Sequence, residues 1–149
     1  MTWLAETAML SFGWRRFLIL VLAGAISALS VPPMFLLPAL FIGMPVLVWC
    51  LDGAERLPGW RRFLGPAFFI GFNFGLGYFT VALHWLGAAF LQEGGVFLLL
   101  MPFGVVGLAA VLSLFWAVGT SAAHLVWSQG AMRLVTLATF LAAAEYLRG

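Results

Sequence analysis

The chain has 149 residues, of which 64% are apolar and only 8% charged, with a formal net charge of +2. A soluble domain carries roughly 25% charged residues to solvate its surface, so this composition excludes an ordinary water-soluble fold and points to an integral membrane protein. A small, dispersed positive charge excludes a nucleic-acid-binding surface, and one cysteine excludes an intrachain disulfide.

A hydrocarbon core takes about 20 residues of helix to cross and leaves no place for open sheet edges. The ten-residue alternation of a membrane barrel is absent. The expected fold is therefore all-α, a polytopic transmembrane bundle of about five spans. The first follows Arg15 and Arg16 and runs from Phe17 to Val31, where Pro32 and Pro33 interrupt it. The second covers Met34 to Leu51. Asp52, Glu55, Arg56, Arg61 and Arg62 form the most charged segment, closed by Gly65 and Pro66. The third span covers Ala67 to Leu91 and ends at Gln92, Glu93, Gly94 and Gly95; the fourth covers Val96 to Ala122. Ser128, Gln129, Gly130 and Arg133 mark a turn before a shorter fifth span that ends at Glu145 and Arg148.

Arginine placement sets the orientation, because short cytoplasmic loops retain positive charge. A cytoplasmic N-terminus puts Arg15, Arg16, Arg56, Arg61, Arg62 and Arg133 inside and leaves only Arg148 outside. Five spans then carry Gly149 to the extracytoplasmic face. Trp14, Trp49, Trp60 and Trp127 fall near inner interfaces, where indoles favour the headgroup region, while Trp85 and Trp116 lie deeper. Arg15-Arg16 before an apolar run also resembles a signal peptide or a twin-arginine signal; the further spans favour an uncleaved first helix.

Polar residues within spans are costly and so are functional candidates. Asn73 sits about 10 Å along the third helix, between Gly71 and Gly75, whose spacing admits a close neighbouring helix; packing is the favoured role for all three. His84 and His124 are separated by about 25 to 30 Å of helix rise, which excludes a shared metal or haem, and neither metal nor cofactor is expected. Cys50, beside Asp52, lacks an activating base and reads as an inert apolar residue. The outer face gathers His84, Trp85, Gln92, Glu93, Glu145 and Arg148, with Glu145 and Arg148 three apart on a helix and able to pair. No nucleophile, base and oxyanion donor combine here.

Gly71-Phe72-Asn73-Phe74-Gly75-Leu76-Gly77-Tyr78, continuing through His84-Trp85-Leu86 to Phe90–Gly95, resembles the third-helix region of bacterial apolipoprotein N-acyltransferases. Glu145-Tyr146-Leu147-Arg148-Gly149 resembles the element that ends the fifth helix in that family. The resemblance implies an inner-membrane, multi-pass enzyme that transfers an acyl chain from phospholipid to the amino group of a diacylglyceryl-cysteine on a lipoprotein. It also implies a Glu-Lys-Cys triad in a nitrilase-like extracytoplasmic domain. This chain has no lysine and stops before such a domain would begin, so residues 1–149 are expected to be the N-terminal membrane domain, inactive alone, from a truncated product or an incomplete gene model. His84, Trp85, Glu93, Glu145 and Arg148 become the lipid-proximal candidates, with Arg148 suited to a phosphate. The contrasting reading is a small non-enzymatic membrane subunit of a transporter or assembly complex. A channel is disfavoured because no span carries a mid-membrane acid.

Overall fold

The computed structural model describes residues 13–32, 34–55, 57–58, 63–87, 97–128 and 130–149, with 97–100 described by backbone alone. The described residues are all-helical, without a strand. Five helices follow one another: α1 Trp14–Ala28, α2 Leu37–Asp52, α3 Pro66–Ala82, α4 Phe97–Leu125 and α5 Met132–Arg148. Prolines open two of them, Pro38 in α2 and Pro66 in α3, at the positions where a missing N–H and a fixed φ cost nothing. Gly130, at φ +81°, supplies the left-handed residue in the turn that reverses the chain between α4 and α5.

Five boundaries differ from the sequence expectation by three residues or more: the first helix opens at Trp14 rather than Phe17, the fourth runs to Leu125 rather than Ala122, and three others differ for a local reason. The first helix stops at Ala28 because residues 29–31 close into tighter turns, with Leu29, Ser30 and Val31 N–H donating to carbonyls three residues back. The second starts at Leu37 rather than Met34, since Phe35 adopts φ +50° and breaks helical continuity. The third ends at Ala82 instead of reaching Leu91. His84 Nδ1 lies 3.0 Å from the Val81 carbonyl oxygen, the acceptor a continuing helix would offer to the Trp85 N–H. A separate helical turn occupies 84–87.

The helices pack around α3, which lies against α4, α1 and α2; α1 also packs on α2, and α4 on α5. Glycine makes these approaches possible. A Cβ on Gly24 would collide with the Phe74 carbonyl oxygen of α3, and one on Gly77 with the Val21 carbonyl oxygen of α1, so the two backbones touch directly. On the opposite side of α3, Gly71 abuts the Thr120 hydroxyl, and a Cβ on Gly75 would lie 3.2 Å from Ser113. Thr120 Oγ1 donates within hydrogen-bond reach of the Ala67 carbonyl at 3.1 Å, a bond between helices, and of its own helix's Trp116 carbonyl at 2.9 Å. Leu20, Leu47, Leu51, Ile70 and Phe74 fill the interior between these contacts.

The exterior is as apolar as the core. Phe41 is 80% exposed, Phe103 78% and Leu147 78%, on helices with few charges. Such a surface is unsuited to water. Among the described residues one helix, over Met101–Leu125, is by itself long and apolar enough to cross a bilayer; α2 and α3 are apolar but shorter. The helices of 15 to 17 residues rise about 22 to 26 Å.

Candidate functional site

The C-terminal ends of α1, α3 and α5 lie at one end of the bundle, and among the described residues the strong polar cluster there is built on Glu145. Gly130 lies 14 residues after Trp116 and 15 before Glu145, so the α4–α5 hairpin brings these two residues level. Trp116 Nε1–H donates to Glu145 Oε1 at 2.5 Å. The other carboxylate oxygen, Oε2, lies 2.7 Å from Arg148 Nη2, one turn on along α5. Glu145 thus joins an almost fully buried indole to a guanidinium that is about one-third exposed.

Aromatic rings fix the indole. Tyr78 stacks on Trp116 at 4.8 Å between centroids, Phe74 stacks at 5.8 Å, and Phe79 meets it edge-on at 5.4 Å. Phe79 also lies under the Arg148 guanidinium, 5.4 Å from ring centroid to Cζ, within cation–π range. Arg148 is therefore held by one oxygen and one ring face. A guanidinium has five N–H donors, so this leaves donors available for an anionic oxygen at the end of the bundle.

His84 and Trp85 lie at the same end, beyond the end of α3, and both are exposed. With its proton on Nδ1, His84 donates to the Val81 carbonyl. The ring also lines a recess of about 100 Å³ with Leu29, Pro32, Met34 and Val81. Neither residue enters the Glu145 cluster. Glu93 and Gln92 lie outside the described residues. Gly71 and Gly75 face α4, as above, and Asn73 is half-buried between them in sequence. Cys50 is buried in α2. Among the described residues no group of three or more His, Cys, Asp or Glu side chains could hold a metal. Nor do these residues assemble a nucleophile, a base and an oxyanion donor.

The opposite end carries a second cluster, whose hydrogen bonds and ion pair were not anticipated from the sequence. Asp52, at the C-terminus of α2, accepts from Trp127 Nε1 at 3.0 Å and pairs with Arg133 Nη1 at 2.5 Å. Arg16 Nη2 donates to the Cys50 carbonyl oxygen at 2.9 Å, closing α1 onto the last turn of α2. Asp52 therefore links α2 to both arms of the α4–α5 hairpin. The available signal was that a tryptophan and an arginine flanking the α4–α5 turn both need an acceptor, and Asp52 is one of few carboxylates at that end.

The family described as apolipoprotein N-acyltransferase N-terminal domain matches residues 23–149. The chain is 44% identical over 147 residues to an apolipoprotein N-acyltransferase of Allorhizobium ampelinum, covering 97% of this chain and 28% of that protein. It is 46% identical over 146 residues to the one of Bradyrhizobium diazoefficiens and 41% over 146 to that of Rhodopseudomonas palustris, in both cases 98% of this chain and 27% of the relative. The chain thus spans little more than a quarter of the length of these curated relatives. No solved structure matches it. The resemblance carried by the glycine-rich third helix and the Glu145–Gly149 ending holds over nearly the whole sequence, and the chain belongs to the apolipoprotein N-acyltransferase N-terminal domain family.

Proposed function

We propose that this chain is the membrane portion of an apolipoprotein N-acyltransferase, acting in the inner membrane of a bacterial cell. The observation that carries this reading is identity of 41 to 46% along almost all of the chain to the corresponding part of enzymes bearing that name. The reaction would move an acyl chain from phospholipid to the free amine of a diacylglyceryl-cysteine on a lipoprotein. The Glu-Lys-Cys chemistry would belong to a nitrilase-like domain outside residues 1–149, and this portion alone would be inactive.

In this reading five spans cross the bilayer, with the N-terminus and the Asp52 cluster cytoplasmic and the Glu145 cluster at the outer face. The apolar exterior and the concentration of arginine at the Asp52 end support it. Helices shorter than about 20 residues are accommodated by local thinning and by apolar flanks such as Met34–Leu36. The bundle would hold donor acyl chains and bring the ester to the outer surface. Arg148, oriented by Glu145 and Phe79, would receive the donor phosphate through its remaining N–H groups. Trp85, exposed at the same end, would lie in the headgroup layer; His84 and Glu93 would border the opening.

The direct test is acyl transfer by the full-length enzyme, purified from membranes and supplied with chain-labelled phospholipid and a diacylglyceryl lipopeptide. Label on the lipopeptide amine supports the reading. A protein that transfers no label, yet co-purifies in fixed ratio with a membrane complex, would be the non-enzymatic subunit instead.

A further inference from the structure

We infer that the cleft between α2 and α5 is a second lipid site, distinct from the Glu145 end, which takes one acyl chain of an anionic phospholipid and sets its phosphate against Arg133. The inference rests on the reading that the bundle lies in a bilayer. A groove of about 370 Å³ opens between the two helices, within the range of about 300 to 1,000 Å³ typical of ligand pockets. Phe41, Met44, Pro45 and Trp49 form one wall and Leu134 and Arg133 the other.

The walls come from helices that are packed elsewhere: α2 rests on α1, and α5 rests on α4. Pro45 lies inside α2 and cannot donate to the Phe41 carbonyl, so the wall is locally broken. Phe41 and Leu134, at the rims, are largely exposed, and a lipid tail is the apolar material a bilayer supplies to such an opening.

Charge selects the headgroup. Among the described residues, Arg133 is the one charged residue lining the groove, and it sits at the Asp52 end. Asp52 engages its Nη1, and a guanidinium has further donors to offer a phosphate oxygen. Among the described residues at this end, Arg15 and Arg16, which open α1, and Arg133 stand three to two against the carboxylates of Asp52 and Glu55. A positive field of this kind favours a net-negative lipid over a zwitterionic one.

The test is native mass spectrometry of the full-length protein, extracted in detergent, delipidated and titrated with phosphatidylglycerol or phosphatidylcholine. The expected result is retention of one phosphatidylglycerol with a preference of about fivefold or more over phosphatidylcholine. Arg133→Gln should abolish the preference, and Asp52→Asn, which frees the guanidinium, should keep it. Met44→Trp and Leu134→Trp fill the groove from opposite walls, so each folded variant should lose the bound lipid. Equal retention of the two lipids, or undiminished retention by both tryptophan variants, overturns the site. So does a photoprobe at position 41 that crosslinks to another protein segment instead of lipid. Recovery of the protein in the aqueous fraction without detergent would overturn the bilayer reading itself, a result separate from these.

Discussion

Trp116 Nε1 and Glu145 Oε1 stand 2.5 Å apart across the α4–α5 hairpin, and this bond sets the position of Arg148, which pairs with the second carboxylate oxygen. A half-buried charged acceptor contributes more than a neutral one, about 1.5 to 3 kcal/mol, whereas the partly exposed pair with Arg148 contributes no more than about 1 kcal/mol. Glu145→Ala is therefore expected to lower stability more than Arg148→Ala in detergent unfolding. A double-mutant cycle of Trp116→Phe with Glu145→Ala should return a coupling of about 1 to 2 kcal/mol. Additive effects would show that the bond contributes nothing.

The glycine contacts make a ranked expectation. At Gly77 an added methyl meets the Val21 backbone, which cannot move without shifting a helix, while at Gly75 it meets the Ser113 side chain and Cα at 3.2 Å. Gly77→Ala should cost about 1 to 3 kcal/mol and Gly75→Ala less. Thermal unfolding of the two purified variants checks the order, and the reverse order contradicts the helix arrangement.

Asp52 is the shared acceptor for Trp127 and Arg133, with its side chain only 14% exposed. Asp52→Asn is expected to destabilise by about 1 to 3 kcal/mol. The effect should persist in high salt, because a partly buried pair is screened little. A loss that vanishes at 1 M salt would mean that the pair acts as a surface contact.

The proposed five-span topology makes opposite expectations for two cysteine variants. With Cys50 buried, a new thiol dominates labelling by a membrane-impermeant maleimide. In intact cells Trp85→Cys should react after only the outer membrane is permeabilised, and Glu55→Cys only after the inner membrane is opened. Reaction of both from the same side would remove the odd number of spans between them.

Much of this was legible in the residues. Apolar runs broken by Pro32 and Pro33, by Gly65 and Pro66, and by Gly130 located the helices, and the three-residue spacing of Glu145 and Arg148 anticipated their ion pair. Helix ends were less readable because they depend on local competition for single carbonyls, as at His84, and on one residue's backbone, as at Phe35. The partners of Glu145 and Asp52 were hidden for a different reason: Trp116 and Trp127 looked like apolar or interfacial bulk, and their N–H groups find acceptors only once α4, α5 and α2 are set side by side.

The most direct test of the central claim is the acylation state of the cell's own lipoproteins when the gene is depleted. Mass spectrometry of their N-terminal peptides is expected to show diacylglyceryl-cysteine with a free amine accumulating, and a wild-type copy should restore the third acyl chain. Fully triacylated peptides throughout depletion, with no other acyltransferase gene in the cell, would contradict the assignment.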